Sequence, residues 1–111
     1  MKFDFLVKNF PKMPLLEEEF DKQKEKILKL FRNHSKKETI HISCHMEKNP
    51  HRQEYFTWIN FYFPHKVFHV KEKASDALTS LKKSFSSLYM KIKKQKDKFL
   101  SLKRGKNASV I

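Results

Sequence analysis

The chain has 111 residues, 39% hydrophobic and 14% aromatic, with a formal net charge of +13. That length fits one domain, and that apolar content can fill a core, which sets aside a disordered basic tail. A single glycine, Gly105, excludes Walker-type phosphate loops and dinucleotide fingerprints, which need several.

Cys44 has no second cysteine to pair with, which points to a reducing compartment, most simply the cytosol. The start of the chain does not read as a signal peptide, because Asp4 interrupts a short apolar run that ends by Lys8. No stretch reaches the roughly 18 apolar residues that a membrane-spanning helix needs.

In chain order, Phe3, Phe5 and Val7 alternate with Lys2, Asp4 and Leu6, which predicts a short strand with one buried face. Residues 9–13 read as a loop, and Pro14 suits a first helical position. Glu17, Glu18 and Glu19 then fall where negative charge suits a helix N-terminus. Leu16, Phe20, Ile27, Leu30 and Phe31 supply the helix's apolar face, and residues 33–37 read as a polar connection.

Ile40, Ile42, Cys44 and Met46 alternate with His41, Ser43 and His45, which predicts a second strand. Lys48, Asn49 and Pro50 make a turn. A third strand covers 53–63, with Tyr55, Thr57, Ile59, Phe61 and Phe63 on one face and Phe56, Trp58, Asn60 and Tyr62 on the other. Pro64 and His65 turn into a fourth strand, in which Phe68 and Val70 match the buried face. Ser75 is placed to cap a long helix, with Asp76 in its first turn.

The order is β-α-β-β-β-α, an α+β chain. Two helices on one face of a four-stranded sheet bury these stripes most economically. Residues 1–101 form a single domain in this reading, and 102–111 a basic flexible tail.

The last helix has two parts. Leu78, Leu81, Phe85, Leu88 and Ile92 alternate three and four apart and lie on one face. After Ile92 the apolar stripe stops, while helix-forming residues run on as Lys93-Lys94-Gln95-Lys96-Asp97-Lys98. Residues 71–111 hold eleven Lys and Arg104 against Glu72, Asp76 and Asp97, a net +9 of the total +13. Charge this localised favours a surface for an anionic partner, nucleic acid before membrane. Lys82 and Lys83 join the run one turn outside the stripe. A solvated charged face is the plainer alternative, but the run is of one sign and continues past the core.

Nothing argues for catalysis or for a cofactor. His41 and His45 share a strand face four residues apart, or roughly 13 Å, too far for one metal ion. Cys44 points to the opposite, buried face, so it is expected to be inert and not a nucleophile. The three consecutive glutamates read as a solvated helix start. Phe56, Trp58 and Tyr62 on the outer sheet face are able to stack on single-stranded bases, although cross-strand packing among themselves is the favoured reading.

The element order, with a helix running from Asp76 through Leu78, Leu81 and Leu88 into Lys94-Gln95-Lys96-Asp97-Lys98, resembles the ribosome hibernation-promoting factors and the related ribosome-associated inhibitor A. The resemblance runs through 67–99 and back through 41–47 and 15–31, roughly residues 1 to 100. The basic tail Lys103-Arg104-Gly105-Lys106 replaces the acidic tail of the inhibitor branch, and the chain looks like a short-form factor without the added dimerisation domain.

The resemblance implies a fold similar to double-stranded-RNA-binding domains. It also implies occupancy of the messenger- and transfer-RNA channel of the small ribosomal subunit, blocking translation under stress or slow growth. On that reading Lys82, Lys83, Lys91, Lys93, Lys94, Lys96 and Lys98 meet ribosomal RNA phosphates as point charges, without base specificity. The protein is then a cytoplasmic monomer when free, not an enzyme, with no metal, cofactor, small-molecule substrate or membrane partner. A general RNA-binding or ribosome-structural protein of the same fold is the alternative.

Overall fold

The computed structural model describes residues 1–32, 39–63 and 66–110, and side chains as far as residue 95. The expected connection at 33–37 and the turn at Pro64 and His65 lie outside the described residues. Among the described residues, six elements follow in the expected order: β1 (Lys2–Lys8), α1 (Pro14–Leu30), β2 (His41–Lys48), β3 (Tyr55–Phe63), β4 (Lys66–Ala74) and α2 (Ala77–Val110). The four strands form one sheet in the order β1-β2-β3-β4. β1 and β2 are parallel, a pairing that requires a crossover, and α1 provides it. The other neighbours are antiparallel.

The period-two pattern fixes which residues reach the core. Ile42, Cys44 and Met46 of β2 are buried, as are Thr57, Ile59 and Phe61 of β3 and Val70 of β4. From the helices come Leu16, Phe20 and Ile27 of α1 and Leu81, Phe85, Leu88 and Ile92 of α2. Phe20 joins three elements: its ring stacks on Phe5 at 4.6 Å and meets Phe85 edge-on at 5.9 Å. Phe31 caps the other end of the core against Phe61 and Phe63, at 5.6 and 5.7 Å.

Several details differ from the sequence reading. β3 begins at Tyr55, because Asn49 N–H donates to the Glu54 carbonyl at 2.9 Å and closes the β2–β3 hairpin there. Leu30 is exposed, and Leu78 and Phe31 are half-buried. On α1 the apolar face is completed by two polar residues, Glu19 and Gln23. Gln23 donates to Glu19 at 2.6 Å, and the Tyr89 hydroxyl of α2 lies 2.9 Å from Gln23 Oε1. This polar clasp ties α1 to α2. Burial, reinforced by the Glu19 charge, pushes the Tyr89 phenol up to about 12.

The cap of α2 is Asp76, not Ser75. Asp76 Oδ1 accepts the Thr79 backbone N–H at 2.8 Å, three residues on, which is N-cap geometry for a helix that starts at Ala77. Position decides this, because Asp76 is the residue immediately before the helix, and its charge also suits the positive end of the helix dipole. α2 extends to Val110, into the 102–111 segment expected to be a free tail.

Both sheet edges are capped by lysines. At β1, Lys12 donates to the Phe5 carbonyl at 2.7 Å. At β4, Lys91 donates to the His69 carbonyl at 2.6 Å and Lys83 to the Lys73 carbonyl at 3.3 Å. A charged group on an edge carbonyl blocks pairing with another chain's strand. Where β1 ends, Asn9 takes a positive φ of 67°, a conformation asparagine tolerates better than most residues.

Two stability predictions follow from this packing. Phe85 is fully buried, so Phe85→Ala should cost about 3–5 kcal/mol and lower the melting temperature markedly. An unchanged melting temperature would remove Phe85 from the core. Asp76→Ala should cost about 1 kcal/mol, read by urea denaturation at neutral pH. The hydrogen bonds from Thr79 hold the Asp76 carboxyl below its ordinary 3.8. A depressed folded-state value means that the cap contributes fully above that ordinary value and is lost as pH falls through the folded one. The wild-type and Asp76→Ala curves should therefore converge in acid.

Candidate nucleic-acid interface

α2 positions its lysines through the same packing that fixes its inner face. At 3.6 residues per turn, Leu81, Phe85, Leu88 and Ile92 face the sheet. Ala77, Ser80 and Ser84 fill the row beside them and are also buried. These small residues let the helix approach β3 closely. Thr57 Oγ1 and Ser80 Oγ meet at 2.7 Å, and Ser84 donates to the Leu81 carbonyl at 2.7 Å, so the buried hydroxyls are satisfied.

Lys82, Lys83, Lys91, Lys93 and Lys94 are all exposed. Among the described residues, no carboxylate lies within ion-pair distance of any of them. Lys96 and Lys98 have side chains outside the described residues. The five lysines are not equivalent. Lys82, Lys93 and Lys94 are exposed and hold no hydrogen bond among the described residues. Lys83 and Lys91 lean onto the β4 edge and hold backbone carbonyls. Each ammonium has three donors, so both keep capacity for a phosphate oxygen.

β4 adds cations that the sequence reading did not assign to the site. Lys66 donates to Gln95 at 2.8 Å, which extends the basic surface along the far part of α2. The Lys73 backbone meets Lys83 while its ammonium pairs with Glu54 at 3.4 Å, and Lys71 is on the same strand. The result is a basic band along the β4 edge and the outer side of α2. Its signal in the sequence was the lysine content of β4, but only the β4–α2 adjacency makes one surface of the two runs.

On the outer sheet face the aromatics pack across strands. His41 stacks on Tyr62 at 5.4 Å, and His45 meets Trp58 edge-on at 5.5 Å. Phe56 and Trp58 stack on one another at 5.7 Å. His41 is paired with Asp4, and His69 with Asn60 at 2.6 Å. Among the described residues, no group of three or more His, Cys, Asp or Glu side chains is gathered as for a metal ion. No described helix is long and apolar enough to cross a membrane.

No family model and no curated protein matches the sequence. Solved structures do match the fold. A ribosomal subunit interface protein from Coxiella burnetii aligns over 87% of this chain and 99% of its own, with 16% identity and a TM-score of 0.67. The N-terminal domain of Protein Y from Thermus thermophilus aligns over 85% of this chain and 98% of its own, with 15% identity and a TM-score of 0.64. At these identities the likeness is one of fold. The fold implied by the resemblance to the hibernation-promoting factors is therefore the fold observed.

Cys44 is buried, and that burial pushes its thiol up to about 12 despite nearby Lys12. A thiolate is the reactive form, so alkylation of the native protein at pH 8 should be slow and should accelerate on unfolding in urea. Equal rates in the two states would contradict the placement of Cys44 in the core.

Proposed function

We propose that this protein is a ribosome hibernation factor. In this reading it is not an enzyme. It binds the small ribosomal subunit in the messenger- and transfer-RNA channel and silences translation under stress or slow growth. The observation that carries the proposal is the basic band on α2 and β4, set on a fold shared with a ribosomal subunit interface protein.

The physical logic runs from charge to contact. Exposed lysines on a rigid helix meet RNA phosphates without reading base sequence, so affinity comes from charge and selectivity from the shape of the channel. Lys82, Lys93 and Lys94 face outward and are the direct contacts, with Lys96 and Lys98 continuing the run. Lys83 and Lys91 contribute while bracing β4. In this proposal the working unit is residues 1–101, and the basic residues 102–111 extend it along α2. The free protein is a cytoplasmic monomer in this proposal, with both sheet edges capped against self-pairing.

The test reverses the outward lysines and spares the bracing ones. A Lys82→Glu, Lys93→Glu, Lys94→Glu variant should fold normally, because exposed changes shift stability by about ±0.5 kcal/mol each. Co-sedimentation with purified ribosomes across a salt series at fixed magnesium should show sharply weaker binding. Each lost phosphate contact should flatten the log–log salt slope by roughly 0.7–0.9. Wild-type affinity and slope in the folded variant would remove α2 from the interface. Equal association with ribosomes in growing and starved cells would favour a ribosome-structural protein instead.

A further inference from the structure

The outer face of the sheet carries an aromatic cluster that the lysine helix does not explain. The strand registers place four residues in each row across that face. One row is Leu6, His45, Trp58 and Lys71, and the next is Lys8, Glu47, Phe56 and Lys73. Phe56 and Trp58 therefore sit mid-sheet, with lysines on the β4 side and Glu47 on the β2 side. The two rings are only partly buried, stacked on each other with planes 24° apart. Lys71 Nζ lies 5.6 Å from each ring centroid, above the seam between them.

Beside the rings is an open recess of about 290 Å³ whose walls include Glu47, Lys48, Asn49 and Pro50. That volume is at the small end of ligand pockets, which run from about 300 to 1,000 Å³, and suits one base better than a cofactor.

We infer that Phe56, Trp58 and Lys71 form a binding site for single-stranded RNA, with a base stacked on the exposed aromatic surface and its phosphate held by Lys71, while the neighbouring Lys73 is engaged by Glu54 at 3.4 Å. The charge distribution selects this occupant. Among the described residues Lys71 stands uncompensated on the β4 side, whereas Lys48 and Glu47 offset one another on the opposite wall, so the RNA backbone follows β4 and turns its bases inward. β4 is also the edge that α2 braces: Lys83 reaches the Lys73 carbonyl at 3.3 Å. The backbone path is thus continuous with the basic band. An apolar protein partner would find lysines at this rim, and a duplex has no unstacked base to offer. Aromatic stacking of this kind is tolerant of sequence and salt-dependent through the flanking cations.

This inference goes beyond the α2 surface and uses no ribosome, so its failure would leave the ribosome-binding proposal standing. Trp58 is the single tryptophan of the chain and reports directly on the site. The experiment titrates the protein with an eight-nucleotide RNA free of self-complementarity and follows Trp58 emission. A 12-base-pair RNA duplex is the control. The single strand should change the emission saturably, while the duplex leaves it unaltered even if it binds α2.

With a fluorescein-labelled single strand, anisotropy should show Trp58→Leu and Phe56→Leu binding about tenfold or more weakly, the scale of one lost base stack. Circular dichroism on each variant confirms that it is folded, and Lys71→Gln, which leaves the rings in place, should weaken binding and flatten its salt dependence. Unchanged Trp58 emission, an equal response to duplex, or wild-type anisotropy for folded Trp58→Leu would overturn the inference. So would loss of ribosome binding by Trp58→Leu with normal oligonucleotide binding, which assigns the face to a protein partner.

Discussion

The seating of α2 on β3 and β4 is the constraint on which the rest depends. Phe85 and Leu81 supply the apolar part of that contact, and Thr57 with Ser80 supplies a buried hydroxyl pair. The pair orients as well as stabilises, because a buried hydroxyl without its partner costs about 1–3 kcal/mol. Sliding or rotating the helix would break it. With the inner face locked, helical geometry sets where each remaining side chain of α2 emerges, and Lys82, Lys93 and Lys94 emerge exposed. A 34-residue helix is about 51 Å long, whereas the nine residues of β4 span about 30 Å, so α2 must outrun the sheet.

The lysines of this chain manage two problems. A four-stranded open sheet leaves β1 and β4 with unpaired backbone groups. Lys12 covers one edge, and Lys83 and Lys91 cover the other. At β4 the covering groups belong to the helix that also carries the outward lysines. Edge protection and the cationic surface therefore come from a single element, which keeps the basic band continuous from α2 onto β4.

Much of this was legible in the sequence. Strict alternation in 40–46 and 55–63 identified β2 and β3 and their buried faces, because a half-buried strand has no other way to divide its side chains. The stripe from Leu81 to Ile92 gave α2 its inner face. Less visible were contacts between polar residues distant in sequence. Glu19 and Gln23 look like surface residues of an acidic helix start until Tyr89 arrives 66 residues later. Ser80 and Ser84 carry no apolar signal, yet they lie in the row that lets α2 approach β3. The choice between Ser75 and Asp76 as the cap turned on one residue of helix boundary, which composition does not resolve. At the site, the sequence treated Lys91 as equivalent to Lys94. The β4 edge makes it different, since only the fold brings the His69 carbonyl within reach of its ammonium.

The central claim is that the lysine surface of α2 meets ribosomal RNA. A cryo-electron microscopy map of the ribosome with this protein bound tests it most directly. The account predicts density for the β-α-β-β-β-α domain in the channel of the small subunit, with Lys82, Lys93 and Lys94 against RNA phosphates. Density at another location, or α2 turned to solvent with its lysines unengaged, would contradict it.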